Sequence, residues 1–215
     1  MKEPQPLLSI KKLYIFNGNQ TLVKNFNLEL TAGDYKTISA PTGTGKTTLF
    51  NYIADILPQD TFKVTGEMIK APGLRIAYAF QEPRLIPSIS VLKNVMLPLQ
   101  NLMDPQRAES VARVWLQRFK LSHKVLDLPE NLSGGEKQRA NLSRAFAYVS
   151  TAATEPVEGP LTKLLLLDEP FSSQDEQNAQ NIISLIKEML FIPNTAVLLI
   201  THDRAFLNDN SVIPW

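Results

Sequence analysis

Two short apolar runs near the end of the chain constrain its fold more than any other feature. Leu164-Leu165-Leu166-Leu167 is too short for a helix, and together with residues 196–200 it reads as strand buried on both faces. Residues 175–191 between the runs are amphipathic and supply the crossover that parallel strands require. Strands alternating with helices give an α/β sheet, whose sites lie at the carboxyl ends of its strands. At that end the first run meets Asp168-Glu169-Pro170, and the second meets Thr201-His202-Asp203.

The rest of the chain extends this pattern. Residues 8–13, 26–30 and 35–40 read as strands, separated by Asn17-Gly18-Asn19-Gln20 and by Ala32-Gly33-Asp34. The first two look antiparallel and precede the core. A helix pattern starts at Gly45 and runs through Leu49, Ile53, Ile56 and Leu57, and residues 75–80 form a strand after Pro72-Gly73. Between 81 and 132 the character becomes helical, in residues 91–96 and then 105–119. There Asp104 caps the helix ahead of Pro105, and Val111, Val114 and Trp115 fall on one face. Residues 135–149 form another helix, with Leu142, Ala145, Phe146 and Val149 at its apolar spacing. Residues 151–160, rich in Thr, Ala, Pro and Glu, read as an exposed loop.

A chain of 215 residues suits one domain. We divide it into a core of residues 1–80 and 133–215 and an inserted helical subdomain of approximately 82–132. Twenty-two Lys and Arg against 21 Asp and Glu leave a formal charge of +1, which gives no electrostatic footprint for nucleic acid. The absence of cysteine excludes disulfides and thiolate metal sites. No apolar run approaches the ~20 residues of a membrane-spanning helix, so the chain reads as soluble and cytoplasmic.

The segment Ala40-Pro41-Thr42-Gly43-Thr44-Gly45-Lys46-Thr47-Thr48 lies between a strand and a helix. Gly43 and Gly45 let the backbone curl so that successive N–H groups, from Thr42 to Thr48, point at phosphate oxygens, aided by the positive end of the following helix. Lys46 reaches the β- and γ-phosphates, and the Thr47 hydroxyl is a Mg²⁺ ligand. Ala40 replaces the first glycine of the pattern. Asp168 and Glu169 end a buried strand, where unpaired carboxylates are costly unless a cation such as Mg²⁺ compensates them. Ser133, Gly134 and Gly135 offer a hydroxyl and two amides at a helix start, a second anion cradle that would duplicate the phosphate loop within one chain.

The order of this loop, Leu132-Ser133-Gly134-Gly135-Glu136-Lys137-Gln138-Arg139 and Leu164 through Pro170 resembles the ATP-binding cassette (ABC) ATPases. The resemblance runs from Leu8 to Asp209. It implies an α/β P-loop NTPase core with a small antiparallel β subdomain and an inserted α-helical subdomain. It also implies ATP and Mg²⁺, with Asp168 holding the metal, Glu169 polarising the attacking water, and His202 contacting the γ-phosphate. Gln81 would touch Mg²⁺ and water while joining the core to the helical subdomain. Ser133 to Gly135 would cover ATP held by a second cassette, identical or different, with Asp175 at the same seam. Gln174 stands where the family usually has leucine. Phe16 or Tyr14 would stack on adenine, and Phe16 is preferred. His123 has no such context and reads as a surface residue.

Phe80 to Leu85 and Val91 to Val95 look like importer ATPases of the nitrate, sulfonate, taurine and thiamine-precursor type, although Ser88 stands where those often have tryptophan. The resemblance then implies membrane permease subunits and a solute-binding protein, with the chain held at the inner face of the membrane through the permease. A soluble ABC ATPase without a permease and a degenerate cassette that binds ATP without turnover are the alternatives. The final strands of the family look shortened or absent before Trp215.

Overall fold

The computed structural model describes residues 6–151, 161–202, 212–213 and 215. Two sheets organise the chain. The strands β1 (Leu8–Asn17), β2 (Gln20–Leu30) and β4 (Phe62–Lys70) form an antiparallel sheet in the order β2-β1-β4. A parallel sheet has the order β5-β6-β7-β3-β8, from β3 (Tyr35–Ile38), β5 (Arg75–Ala79), β6 (Lys163–Asp168), β7 (Thr195–Ile200) and β8 (Val212–Ile213).

Both apolar runs are strands at the centre of the parallel sheet, and every residue of β6 and β7 is buried. Their alternation divides the core in two. Leu164, Leu166, Ala196 and Leu198 face α1 (Lys46–Ile53) and the antiparallel sheet. Leu165, Leu167, Val197 and Leu199 face α4 (Gly134–Ser150) and α5 (Glu176–Met189), and this cluster continues into α2 (Val91–Met96) and α3 (Pro105–Arg118). The ring of Phe146 on α4 meets Trp115 and Phe119 at centroid distances of 5.4 and 5.1 Å, joining the helical segment to the core.

Several sequence expectations are corrected. The helix after the phosphate loop ends at Ile53, because Asp55 takes φ 59 and turns the chain, leaving Ile56 exposed. On α3 the buried face is Ala108, Ala112, Trp115 and Leu116, while Val114 points to solvent. Asp104 does cap α3, accepting from the Arg107 N–H at 3.0 Å. Strand β4 was not anticipated. Thr151 is buried, with its hydroxyl 2.7 Å from Arg75 Nη1, and residues 152–160 of the expected loop lie outside the described residues.

Candidate active site

Four neighbouring strands bring their carboxyl ends to one cleft. In sheet order, β5 leads to Gln81, β6 to Asp168 and Glu169, β7 to His202, and β3 to the loop 40–48. The cleft holds about 330 Å³ and is lined by Thr42, Gly43, Gly45, Lys46, Thr47, Thr48, Gln81, Asp168, Glu169 and His202, with Leu22, Ser172 and Ile200. Thr44 is absent from the lining, and its hydroxyl donates instead to the Pro41 carbonyl at 2.8 Å.

The loop curls as its glycines dictate. Gly43 and Gly45 have φ of 81° and 94°, the left-handed region where a side chain is disfavoured. Gly45 caps α1 without a side-chain hydrogen bond, so the first N–H groups of that helix remain available to an anion. Ala40 is not in the left-handed region, which explains why its Cβ is tolerated there. Lys46 lies across the loop, with Nζ 2.5 Å from the Ala40 carbonyl, 2.9 Å from that of Pro41 and 3.5 Å from His202 Nε2. Burial lowers the Lys46 pKa, and Glu169 and Asp168 oppose that shift.

Asp168 is almost wholly buried. Its Oδ2 accepts from the Thr47 hydroxyl at 2.8 Å and the Tyr78 hydroxyl at 3.3 Å. Burial pushes its carboxyl upward against these two hydrogen bonds and Lys46. The same burial raises the carboxyl of Glu169, opposed chiefly by His202, whose Nε2 stands 3.2 Å from Glu169 Oε1. Glu169 itself sits at φ 48, a conformation uncommon outside glycine.

Hard oxygen donors face the cleft in the Thr47 hydroxyl and the Asp168 carboxylate, while no group of three His, Cys, Asp or Glu side chains suited to a metal occurs among the described residues. This set fits Mg²⁺, which is held by one or two carboxylates together with phosphates and water.

The remaining sequence candidates lie elsewhere. Ser133, Gly134 and Gly135 do not line the cleft. Ser133 and Gly134 are exposed at the start of α4, where Ser133 forms a capping box with Glu136. The Ser133 backbone N–H, its leading partner, holds the Glu136 carboxyl below its ordinary range. His123 is exposed as expected, yet its Nε2 stands 3.6 Å from Glu136 Oε1 beside that turn. Tyr14 and Phe16 stack on each other at 6.1 Å along β1, and neither reaches the cleft. Leu22 does, one position beyond the Phe16 partner Thr21.

Sequence reasoning missed Leu22, Tyr78, Ser172 and a polar ladder on α4. In that ladder the buried Asn141 donates to the Phe80 carbonyl at 2.8 Å, and Arg144 bonds Asn141 and the Arg84 carbonyl, bracketing Gln81 on both sides. The Arg84 guanidinium also lies 4.3 Å from the Phe80 ring centroid.

A family model described as ABC transporter matches residues 23–172. The chain belongs to the ABC transporter family. An aliphatic sulfonates import ATP-binding protein, SsuB, of Granulibacter bethesdensis is 34% identical over 92% of this chain and 74% of its own length. The taurine import ATP-binding protein TauB of Escherichia coli O157:H7 is 33% identical, with the same coverage of 92% and 74%. The probable iron export ATP-binding protein FetA of Escherichia coli is 32% identical over 97% and 90%. Among solved structures, the dimeric post-hydrolysis state of an ATP-binding cassette bound to ADP and Pi superposes with a TM-score of 0.75. It is 27% identical, over 91% of this chain and 88% of that one. The ABC chain is thus an ATP-binding ATPase subunit of transporter type, and the cleft at the strand ends is its candidate nucleotide site. No helix among the described residues is long and apolar enough to cross a membrane.

Proposed function

We propose that this ABC ATPase drives an importer as one half of an ATP sandwich, with each nucleotide held by the loop of one cassette and covered by Ser133 to Gly135 of another. One observation carries this reading. The cleft gathers Lys46, Thr47, Gln81, Asp168, Glu169 and His202, but the second anion cradle lies outside it at an exposed helix start. A cradle that cannot serve its own chain's nucleotide suits a neighbour's.

Within the cleft we assign the roles as follows. Lys46 and the loop N–H groups, Thr48 included, bind the phosphates. Thr47 and Asp168, with Gln81 beside them, would hold Mg²⁺, which neutralises charge on the β- and γ-phosphates when bound. Glu169, its carboxyl raised by burial and turned into the cleft, orients water and accepts its proton. His202, within reach of both Lys46 and Glu169, contacts the γ-phosphate. Phe16, on the central strand β1 of the antiparallel sheet, would supply a face for adenine.

The sulfonate and taurine relatives, with the Gln81 to Val95 segment, support import through membrane permease subunits and a solute-binding protein. The chain would then be peripheral at the inner membrane face. Exposed Ile86 and Leu126 on the helical segment suit contact with a partner. The test is light scattering of Glu169→Gln with and without MgATP. An ATP-dependent dimer that Ser133→Arg abolishes is expected. A monomer under both conditions, together with full turnover by the unsubstituted chain in the absence of any partner, would overturn the sandwich.

A further inference from the structure

The Gln174 side chain is used at both ends. Its Oε1 accepts from Arg139 Nη1 at 3.0 Å, and its Nε2 donates to the Gly135 carbonyl at 3.1 Å. The tie is therefore between the turn that follows β6 and the first turn of α4. The backbones meet there as well, since a Cβ on Gly135 would fall 2.6 Å from the Ser173 carbonyl oxygen, with Ser173 at φ 61. Arg139 Nε is buried with no hydrogen-bond partner among the described residues, so the Gln174 carbonyl satisfies a head group that is otherwise poorly served. On the far side, Asp175 caps α5 by accepting from the Asn178 N–H at 2.7 Å and the Asn178 side chain at 2.9 Å. A primary amide, with donor and acceptor on one carbon, is the group that can answer a carbonyl and a guanidinium together. A leucine of similar size would fill the space and bond neither.

We propose that Gln174 is a positioning residue that locks the signature turn Ser133–Gly135 to the 172–175 turn of the same chain, so that both reach a partner cassette as one rigid surface. This rests on the sandwich reading above. Gln174 does not line the nucleotide cleft, so its loss acts on dimer closure rather than on ATP capture. Removing two modest hydrogen bonds that hold this surface in shape within the chain leaves the ordering to be made up at assembly, which weakens the dimer by about tenfold.

The experiment compares Glu169→Gln with the double variants carrying Gln174→Leu or Gln174→Glu. Light scattering across chain concentration in MgATP gives dimer affinity, and nucleotide titration at monomeric concentration gives ATP affinity. Gln174→Leu is expected to weaken the dimer about tenfold while ATP affinity stays within about twofold, a split that a general loss of structure would not produce. Gln174→Glu keeps an acceptor for Arg139 but places a carboxylate against the Gly135 carbonyl, so its dimer is expected to be at least as weak. It also serves as the readout if the leucine variant folds poorly. If Glu169→Gln dimerises and both double variants dimerise equally well, the role of Gln174 is overturned alone. If Glu169→Gln itself stays monomeric and the unsubstituted chain turns over fully without a partner, the sandwich reading falls and this role with it.

Discussion

Gly43 and Gly45 share the phosphate loop and the left-handed backbone, yet the structure separates what they would lose to alanine. At Gly43 an added Cβ meets nothing within 4 Å, so only the backbone resists. That conformational cost is roughly 1–2 kcal/mol, and alanine recovers part of it by restricting the unfolded chain, for a net loss of about 1 kcal/mol. At Gly45 the added Cβ falls 2.6 Å from the Leu22 carbonyl oxygen, 3.0 Å from its carbon and 3.0 Å from the Leu22 Cβ. Two of those atoms are backbone of β2 and cannot rotate away. Overpacking of that kind adds about 2 kcal/mol, for a total near 3 kcal/mol. A chain of this size loses about 3 °C in Tm per kcal/mol, so Gly43→Ala should melt about 3 °C low and Gly45→Ala about 9 °C low. Thermal melts of the nucleotide-free chain with urea titrations alongside measure both. ATP affinity should also fall further for Gly45→Ala, because the displaced atoms line the cleft. Equal losses for the two variants would refute the argument that the approach of β2 fixes this loop.

Glu169→Gln should lower turnover by about 10²–10⁴-fold while ATP binding persists, which steady-state kinetics and a titration would check; near-normal hydrolysis would remove Glu169 from its role. The same variant tests the raised carboxyl. Because the folded pKa lies above the unfolded one, this group's stability contribution is present below the unfolded carboxylate value and is lost as pH rises through the folded one. The non-titrating variant should therefore outlast the parent in nucleotide-free melts at neutral pH, with the advantage shrinking toward acid. Lys46→Ala should weaken ATP binding itself, and unchanged affinity by calorimetry would show that the loop is not the phosphate site. Chelating Mg²⁺ should stop turnover, and Thr47→Ala should raise the Mg²⁺ concentration needed to restore it, read by titrating the metal at fixed ATP.

Most of the architecture was legible because burial on both faces leaves an unbroken apolar run. β6 and β7 announced themselves in this way, and the spacing of Leu142, Ala145, Phe146 and Val149 announced α4, all four being buried. β4 was hidden because it is mostly exposed: in Phe62–Lys70 no residue is fully buried and Gly66 interrupts the pattern. The helix at Lys46 was drawn too long because Ile56 and Leu57 continue its period, while the turn at Asp55 is a matter of backbone angle that apolar spacing does not encode. The candidate site was legible where its chemistry is contiguous, in the phosphate loop and in Asp168-Glu169. Tyr78, Leu22 and Asn141 reach the site or its neighbours only through strand order and helix packing, and no local pattern marks them. Phe16 was legible only by its region: it stacks on Tyr14 and is not among the residues that line the cleft.

The turn from β6 into α5 joins these observations. Its first residue, Glu169, is held by donating its N–H to the Ile200 carbonyl at 2.9 Å, and its own carbonyl accepts from Ser172 at 3.2 Å. The chain must therefore reverse at once after a buried strand, and it does so with Glu169 at φ 48 and Ser173 at φ 61. Neither residue is glycine, so the strain is retained by what the side chains and the surrounding contacts do. Glu169 and Ser172 face the cleft, Ser173 meets Gly135, and Gln174 bonds Gly135 and Arg139. One strained turn thus carries the proposed catalytic carboxylate on one side and grips the proposed cover for a neighbouring nucleotide on the other. In the proposed sandwich, a change of contacts at the γ-phosphate that moves Glu169 has only the few residues of this turn to cross before the Gln174 hydrogen bonds and the Ser173–Gly135 contact pass it to the signature turn, a short physical link between hydrolysis in one site and release of the other.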